Sequence, residues 1–174
     1  MSHHAAKWLT AVVLLAFAQA TCIDTASARS TDRNQPMDID AGQQKGSLDD
    51  RTPTVLSGGV TITQGTLNVA ADRAVITTAG GDISRAVLTG RPAKLRQQLD
   101  DGTPMSAAAN QIDYNLRTEI VVFTGNVSIQ QPRGSLNGQR VVYNMKTGDV
   151  NSGGQGNGRV KMRILPRNAP AGGG

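Results

Sequence analysis

The stretch Phe123-Thr-Gly-Asn-Val-Ser-Ile129 repeats, without a gap, the stretch Leu56-Ser-Gly-Gly-Val-Thr-Ile62, which lies 67 residues earlier in the chain. In both stretches apolar and polar residues alternate, which is typical of a β-strand with one apolar and one polar face. This alternation places Gly58 and Gly125 on the apolar face. The pattern therefore predicts two copies of the same half-buried strand.

A third copy of the repeat is shorter and lies between the two long ones. Residues 109–114, Ala-Asn-Gln-Ile-Asp-Tyr, align with residues 71–76 and with residues 138–143. Three matches in a fixed order indicate a fold that is built from repeated strand units.

Turn signals separate the alternating runs. They are Gly80-Gly81-Asp82, Asp100-Asp101-Gly102, Asn137-Gly138 and Lys146-Thr147-Gly148-Asp149. After the N-terminal segment, no window keeps a helical period. Short strands between regular turns predict an all-β fold, which is a sandwich, a barrel or a jelly roll.

The N-terminal segment has the features of a secretory signal peptide. Lys7 precedes an apolar run, residues 8–18, that is too short to span a bilayer, and Ala26-Ser27-Ala28 fits the small-x-small rule for cleavage. Cys22 raises the alternative of a lipoprotein anchor, but the three residues before it lack the usual Leu of such a site. We therefore expect residues 1–28 to be removed, and the mature protein to lie outside the cytoplasm.

The rest of the chain divides into three predicted parts. Residues 29–34 are polar and are predicted to be a flexible N-terminus. Residues 35–166 carry the strand pattern and are predicted to form one β-domain. Residues 167–174 are Pro-, Ala- and Gly-rich and are predicted to be a disordered tail.

The residue types after position 28 exclude most catalytic and metal chemistry. His3, His4 and Cys22 all lie in the predicted signal peptide, so no Ser-His-Asp triad, Cys nucleophile or usual zinc site is possible in the mature chain. Asp38 and Asp40 share one strand face, where paired carboxylates are usually solvated. The sequence therefore predicts no enzyme, no catalytic residue, no metal and no cofactor.

The basic charge is compatible with binding to polyanions. The formal net charge is +5 and the pI is about 9.9. After residue 28 the aromatic residues are Tyr114, Phe123 and Tyr143, which is too few for a base-stacking platform. Nucleic acid is therefore not an expected partner, and the charges fit either a solubilising face or one that meets phosphate-bearing lipid.

Several motifs, taken in order, resemble a known family. They are 35–40 with Gln43-Gln44, 65–72, Pro92-Ala93-Lys94-Leu95, Asp101-Gly102-Thr103-Pro104, and 123–127 with Gln130-Gln131. The chain from Gln35 to about Pro166 resembles the periplasmic lipopolysaccharide-transport protein A (OstA-like) family. The resemblance implies an open, twisted antiparallel β-jelly roll whose apolar groove holds the acyl chains of lipid A.

The resemblance also implies partners and a location. Members of this family bridge the inner and outer membranes in the periplasm and stack end to end. The implied partners are lipopolysaccharide, the inner-membrane anchored component of the pathway, its outer-membrane assembly protein, and further copies of the same chain. No cofactor is implied.

The groove is predicted from two observations: the alternation, which places residues on the inner face, and the resemblance, which implies lipid contacts there. Its residues are Met37, Ile39, Val60, Ile62, Ile76, Leu95, Ile112, Tyr114, Phe123, Val127 and Ile129. Mostly small and medium side chains either fill such an interior or leave a slot, and the scarcity of aromatic residues favours the slot. An acyl chain fits a slot of this kind.

The two ends of the strand pattern predict edge strands that pair with other chains. The first is Met37–Asp40 and the last is Val160–Leu165. The residues expected to take part are Met37, Ile39, Val160, Met162 and Ile164. Lys161 and Arg163 leave open the alternative that these charges protect the edge against aggregation.

Two other functions remain open at this point. One is an exported β-repeat that binds polysaccharide or acts as an adhesin-like module, which requires exposed aromatic platforms. The other is a paralogous component of the same transport pathway, anchored in the inner membrane or forming part of the outer-membrane assembly protein.

Overall fold

The computed structural model describes residues 31–47, 52–153 and 159–166. In these ranges nine strands form one antiparallel sheet, preceded by a single 3-10 turn at Asp32–Asn34. The strands are β1 (Met37–Lys45), β2 (Thr54–Gln64), β3 (Leu67–Ala79), β4 (Asp82–Gln98), β5 (Pro104–Asn115), β6 (Ile120–Gln131), β7 (Gly134–Asn144), β8 (Val150–Ser152) and β9 (Lys161–Ile164). The all-β prediction is confirmed.

The sheet follows the order of the chain. Strands β1 to β8 pair in sequence, and β9 pairs with β7 beside the part that β8 leaves uncovered. Strand β1 is therefore one edge, and β8 and β9 together form the other. The predicted last strand is confirmed to within one residue at each end, whereas the first strand extends five residues beyond Asp40.

Three of the four predicted turns are confirmed, and the fourth is wrong. Residues 80–81, 100–102 and 146–149 connect strands, but Asn137 and Gly138 lie inside β7. Asn137 pairs with Ser128 on one side and with Lys161 on the other. Ladders on both sides of this strand outweigh the local turn preference of an Asn-Gly pair.

A line of β-bulges crosses the sheet near the middle of its strands, and we call it the crease. The pairing register shifts between Ala41 and Gln43 in β1, Ser57 and Val60 in β2, Ala70 and Arg73 in β3, Thr89 and Ala93 in β4, Ala108 and Gln111 in β5, and Thr124 and Val127 in β6. A bulge bends its strand and increases the local twist. Successive bulges therefore fold the sheet into two layers.

The two layers are defined by the crease. The first layer comprises residues 54–57, 73–89, 111–124 and 140–152, and the second comprises residues 60–71, 93–108, 127–138 and 161–164. Their apolar faces meet in one hydrophobic cluster with members from both layers. We call the turns at the free end of each layer its rim, and the gap between the two rims the mouth.

The crease changes which residues face inward along a strand. In β4, Leu88 is buried before the crease and Leu95 after it, so the buried positions change from even to odd numbers. In β2 the numbers stay even, because Gly58 and Gly59 both adopt a φ of 82° and together pass through the bend. The prediction that Gly58 lies on the apolar face is therefore wrong, since Gly58 is exposed.

The segment before β1 packs against the sheet. Residues 31–34 belong to the predicted flexible N-terminus, but Asp32 is only 5% exposed. The predicted domain boundary at Gln35 therefore leaves out residues that contact the folded domain. The predicted signal peptide, residues 1–28, and the predicted tail, residues 167–174, lie outside the described residues.

No helix that is long and apolar enough to cross a membrane occurs in the part of the chain that the structure describes.

Candidate binding groove

The interior between the two layers is almost wholly apolar. Among the described residues, the buried polar side chains are Asp32, Thr54 and Gln97. The largest side chains with almost no exposure are Phe123, Leu95, Ile112, Val60, Val121 and Val141. Such a surface offers dispersion contacts and excludes water, so it favours hydrocarbon over any charged or sugar group.

Eight of the predicted groove residues lie in this interior. They are Val60, Ile62, Ile76, Leu95, Ile112, Phe123, Val127 and Ile129, none of them more than 7% exposed. Met37 and Tyr114 are half-buried and pack against the same cluster. Ile39 is 38% exposed on the edge strand β1, so the structure does not bring it together with the others.

The interior is closed over its middle. Ile112 and Phe123 from the first layer are 0% exposed, and Leu95 from the second is 2% exposed. Close packing of this kind leaves no room for a further chain of methylene groups. An acyl chain can therefore enter the middle of the interior only when the two layers move apart.

The apolar interior reaches the surface at the C-terminal edge of the sheet. A cleft of about 220 Å³ opens there, and its apolar lining consists of Ile129, Leu136, Val150, Met162 and Ile164. Met162 is 62% exposed and Ile164 is 73% exposed. Exposed apolar side chains beside a cleft are typical of a binding surface rather than of an ordinary strand edge.

Sequence reasoning missed two residues of this cleft. Leu136 aligns with Val69 in the long repeat, and Val69 is an inward position, so the repeat itself carried the signal. Val150 lies in the short strand β8 between Asp149 and Asn151, where one apolar residue forms no pattern.

The two rims carry the polar groups nearest the interior. Burial raises the pKa of the Tyr114 hydroxyl, and the nearby Arg33 guanidinium acts against that rise. Burial also raises the pKa of Tyr143, and the carboxylate of Asp101 raises it further. Asp101 lies on the second-layer rim and Tyr143 in the first layer, so the charge of one layer acts on a side chain of the other.

The outer face of the sheet is polar and basic. Lys94 and Arg96 are exposed in β4 on either side of the buried Leu95. Arg85 donates from Nε to Oδ1 of Asp113 at 2.8 Å, which raises the pKa of the guanidinium. Adjacent residues of one strand therefore place charged side chains on the outer face and apolar side chains on the inner face.

Comparisons with known proteins agree with this geometry. The chain is 32% identical over 143 residues to the lipopolysaccharide export system protein LptA of Escherichia coli, which covers 81% of this chain and 77% of the relative. It is also 32% identical over 146 residues to the protein of the same name from Haemophilus influenzae, with coverages of 82% and 84%.

A solved structure and a family description complete the comparison. LptH of Pseudomonas aeruginosa, the LptA homologous periplasmic component of a lipopolysaccharide transport device, superposes with a TM-score of 0.70 at 23% identity. The match covers 78% of this chain and 99% of that one, and shows that the folds are alike. The family described as LptA/(LptD N-terminal domain) LPS transport protein matches residues 38–149. The chain belongs to this family.

Proposed function

We propose that this protein is a periplasmic lipopolysaccharide-binding transport protein that bridges the inner- and outer-membrane machinery. It carries lipopolysaccharide toward the outer membrane with the acyl chains of lipid A between its two layers. The observation that carries the proposal is the continuous apolar interior that both layers share and that opens at the C-terminal edge. Membership of the transport family supports it.

The magnitudes favour the interior over the surface charges as the source of lipid affinity. Burying about a dozen methylenes at roughly 0.8 kcal/mol each gives on the order of 9 kcal/mol of gross transfer free energy. An exposed ion pair contributes about 0–1 kcal/mol. The basic residues of the outer face therefore adjust orientation and rate, whereas the interior holds the lipid.

The predicted groove residues take distinct roles in this proposal. Leu95, Ile112 and Phe123 form the walls that an acyl chain meets after the layers separate. Met37 and Tyr114 lie nearer the surface and meet the lipid as it enters. The C-terminal cleft is the part of the interior that is already open.

The sheet edges support assembly with like partners. Within the described residues, β1 pairs only with β2, and β9 pairs only with β7. An unpaired edge is a template for another strand, and head-to-tail addition of identical units that does not close gives an open filament. The edge residues Met37, Ile39, Val160, Met162 and Ile164 therefore join successive copies, or join the chain to same-fold partners at either membrane.

Polysaccharide binding by an adhesin-like module is the alternative class. Such a function uses aromatic side chains displayed to solvent. In the described ranges the aromatic residues are Tyr114, Phe123 and Tyr143, and each is buried or half-buried. This placement does not favour the alternative.

Photo-crosslinking tests the proposed function. A benzophenone amino acid is placed at Leu95 or at Tyr114, which face the interior, and fluorescently labelled lipopolysaccharide is added before irradiation. The matched controls are Lys94 and Asp113, the adjacent residues on the outer face. We expect labelling at both inward positions and little at the outward ones.

Two inward positions are used because a probe in the core is able to disturb the fold. A large probe at the fully buried Leu95 is able to disrupt packing, whereas the half-buried Tyr114 tolerates it. Equal labelling at inward and outward positions, or no labelling at Tyr114 in a folded variant, contradicts the groove.

A further inference from the structure

The segment just before β1 is attached to the second-layer rim. The Thr66 hydroxyl donates to Oδ2 of Asp32 at 2.5 Å, and it accepts the backbone N–H of Gln98 at 3.2 Å. The Gln64 side-chain amide donates to the carbonyl oxygen of Gln35 at 3.1 Å. These bonds fix the buried Asp32 to the β2–β3 turn.

The next residue of the same segment is attached to the opposite rim. The Arg33 guanidinium forms an ion pair with the carboxylate of Glu119, which lies in the β5–β6 turn of the first layer. Glu119 itself is held by the backbone, because its carbonyl oxygen accepts the N–H of Met145 at 2.9 Å. Two successive residues, Asp32 and Arg33, thus link the two layers across the mouth.

We propose that residues 31–36 form a latch that controls the passage of lipid into the interior. The proposal rests on the proposed function and adds a gate to it. The interior is closed over its middle, so the layers have to separate before an acyl chain enters. Because the latch ties one rim to the other, it has to release before that separation.

The two attachments differ in strength, and the difference identifies the one that opens. Asp32 is 5% exposed, and its carboxylate accepts the Thr66 hydroxyl of the β2–β3 turn. The Arg33 and Glu119 side chains are 36% and 19% exposed, so solvent screens their pair. Oε2 of Glu119 is buried and has no hydrogen-bond partner among the described residues, which destabilises the closed form. The Arg33–Glu119 pair therefore opens first, while Asp32 remains as the anchor.

A close contact at Asp32 also indicates that Asp32 stays attached while the Arg33–Glu119 pair opens. A Cβ added to Gly65 would lie 2.7 Å from Cγ of Asp32, so only a glycine leaves space for the carboxylate at this turn. The turn is thus shaped to accept Asp32. The Arg33 guanidinium pairs instead with a carboxylate near the surface, and the two side chains are 36% and 19% exposed.

The test measures how fast fluorescently labelled lipopolysaccharide leaves the purified protein when unlabelled lipopolysaccharide is added in excess. The variants are Glu119→Gln and Arg33→Gln, which remove the ion pair without changing side-chain size greatly. The matched controls are Arg117→Gln, in the same turn, and Asp82→Asn, on the same rim. We expect about fivefold faster release from the two latch variants, the size for an exposed ion pair, and wild-type release from the controls.

Two further variants make the result specific. The exchange Arg33→Glu with Glu119→Arg restores an ion pair and is expected to bring the release rate back toward that of the wild type. Arg33→Cys with Glu119→Cys places one thiol on each side of the mouth, and a reducible bifunctional maleimide links the two thiols over the length of the original ion pair. Linking is expected to slow both uptake and release, and reduction of the linker to reverse the effect.

The outcomes separate the latch from the proposed function. If the wild type binds no labelled lipopolysaccharide, the proposed function is wrong, and the latch with it. If the wild type binds but Glu119→Gln, Arg33→Gln and the linked double cysteine variant all exchange lipid at the wild-type rate, only the latch is wrong.

Discussion

Replacing Gly125 with Ala tests whether the crease depends on a left-handed backbone. Gly125 has a φ of 77°, where an alanine costs about 1–2 kcal/mol. Part of this is offset, because alanine reduces the entropy of the unfolded chain by about 0.4–1 kcal/mol. Strain alone therefore lowers the free energy of unfolding by about 1 kcal/mol.

A close contact at Gly125 adds to this strain. The new Cβ would lie 2.7 Å from Nδ2 of Asn110 and 3.1 Å from its Cβ and Cγ, so the Asn110 side chain has to move. A displaced rotamer costs about 0.5–1.5 kcal/mol. The total predicted loss is about 1.5–2.5 kcal/mol.

Gly59 provides the matched control. Its φ is 82°, but a Cβ added there meets no atom of the described ranges within 4 Å, so Gly59→Ala measures strain without contact. Urea unfolding followed by far-UV circular dichroism gives the two losses, provided that the m-value is unchanged. Measured in an Asn110→Ala background, which lacks Nδ2 and Cγ, the loss caused by Gly125→Ala is expected to approach that of Gly59→Ala.

Two results refute this reasoning. Equal losses for Gly125→Ala and Gly59→Ala mean that the contact with Asn110 is absent. No loss for either means that the crease does not require a left-handed backbone.

Two further predictions concern the sheet edge and the tyrosines. Because Leu165 donates its N–H to Arg133 in the turn before β7 at 2.9 Å, alternation points the N–H of Ile164 away from β7 and toward the free edge. Ile164→Pro is therefore expected to abolish end-to-end association in sedimentation velocity. Ile164→Ala keeps the N–H and is expected to retain the association. Identical association in both variants and in the wild type excludes this edge as the site of assembly. Burial raises the pKa of Tyr114 and Tyr143 above the ordinary 10.0, so the folded protein holds these protons more tightly than the unfolded chain. Their contribution to the free energy of unfolding is therefore expected to be constant below pH about 10 and to be lost as pH rises further. Tyr143→Phe is expected to reduce that alkaline loss, and an unchanged alkaline slope in urea titrations contradicts the assignment.

The strands that carry a clear alternation were predictable from sequence, and the crease was not. The segments 56–62 and 123–129 alternate through the bend because each contains two left-handed residues, so the inward positions stay even in the first segment and odd in the second. In β5 the inward positions change between Ala109 and Ile112, but the run of alanines before the change hides any apolar period. A bulge is set by the pairing of neighbouring strands, which a single strand's sequence does not contain.

The candidate site was predictable in part for the same reason. The wall residue Leu95 follows from the alternation because it lies between Lys94 and Arg96, and Phe123 follows because the alternation of residues 123–129 begins with it. The latch residues Asp32 and Arg33 do not, because their partners Thr66 and Glu119 are far away in the chain. A polar hexapeptide before a strand predicts a loose end unless those partners are known.

The two edges of the sheet are built differently, and this gives the molecule a polarity. Strand β1 continues through the crease as one strand and pairs with β2 in both layers. At the other edge, β8 and β9 are separate strands that pair with the two halves of β7. The layers therefore splay more easily at the C-terminal end, where the cleft already lies. The difference between the two edges determines the route that a lipid takes through the protein. At equilibrium, however, a difference in structure alone produces no net movement of lipid. Net movement through such a conduit is driven by the supply of lipid at one end and its removal at the other.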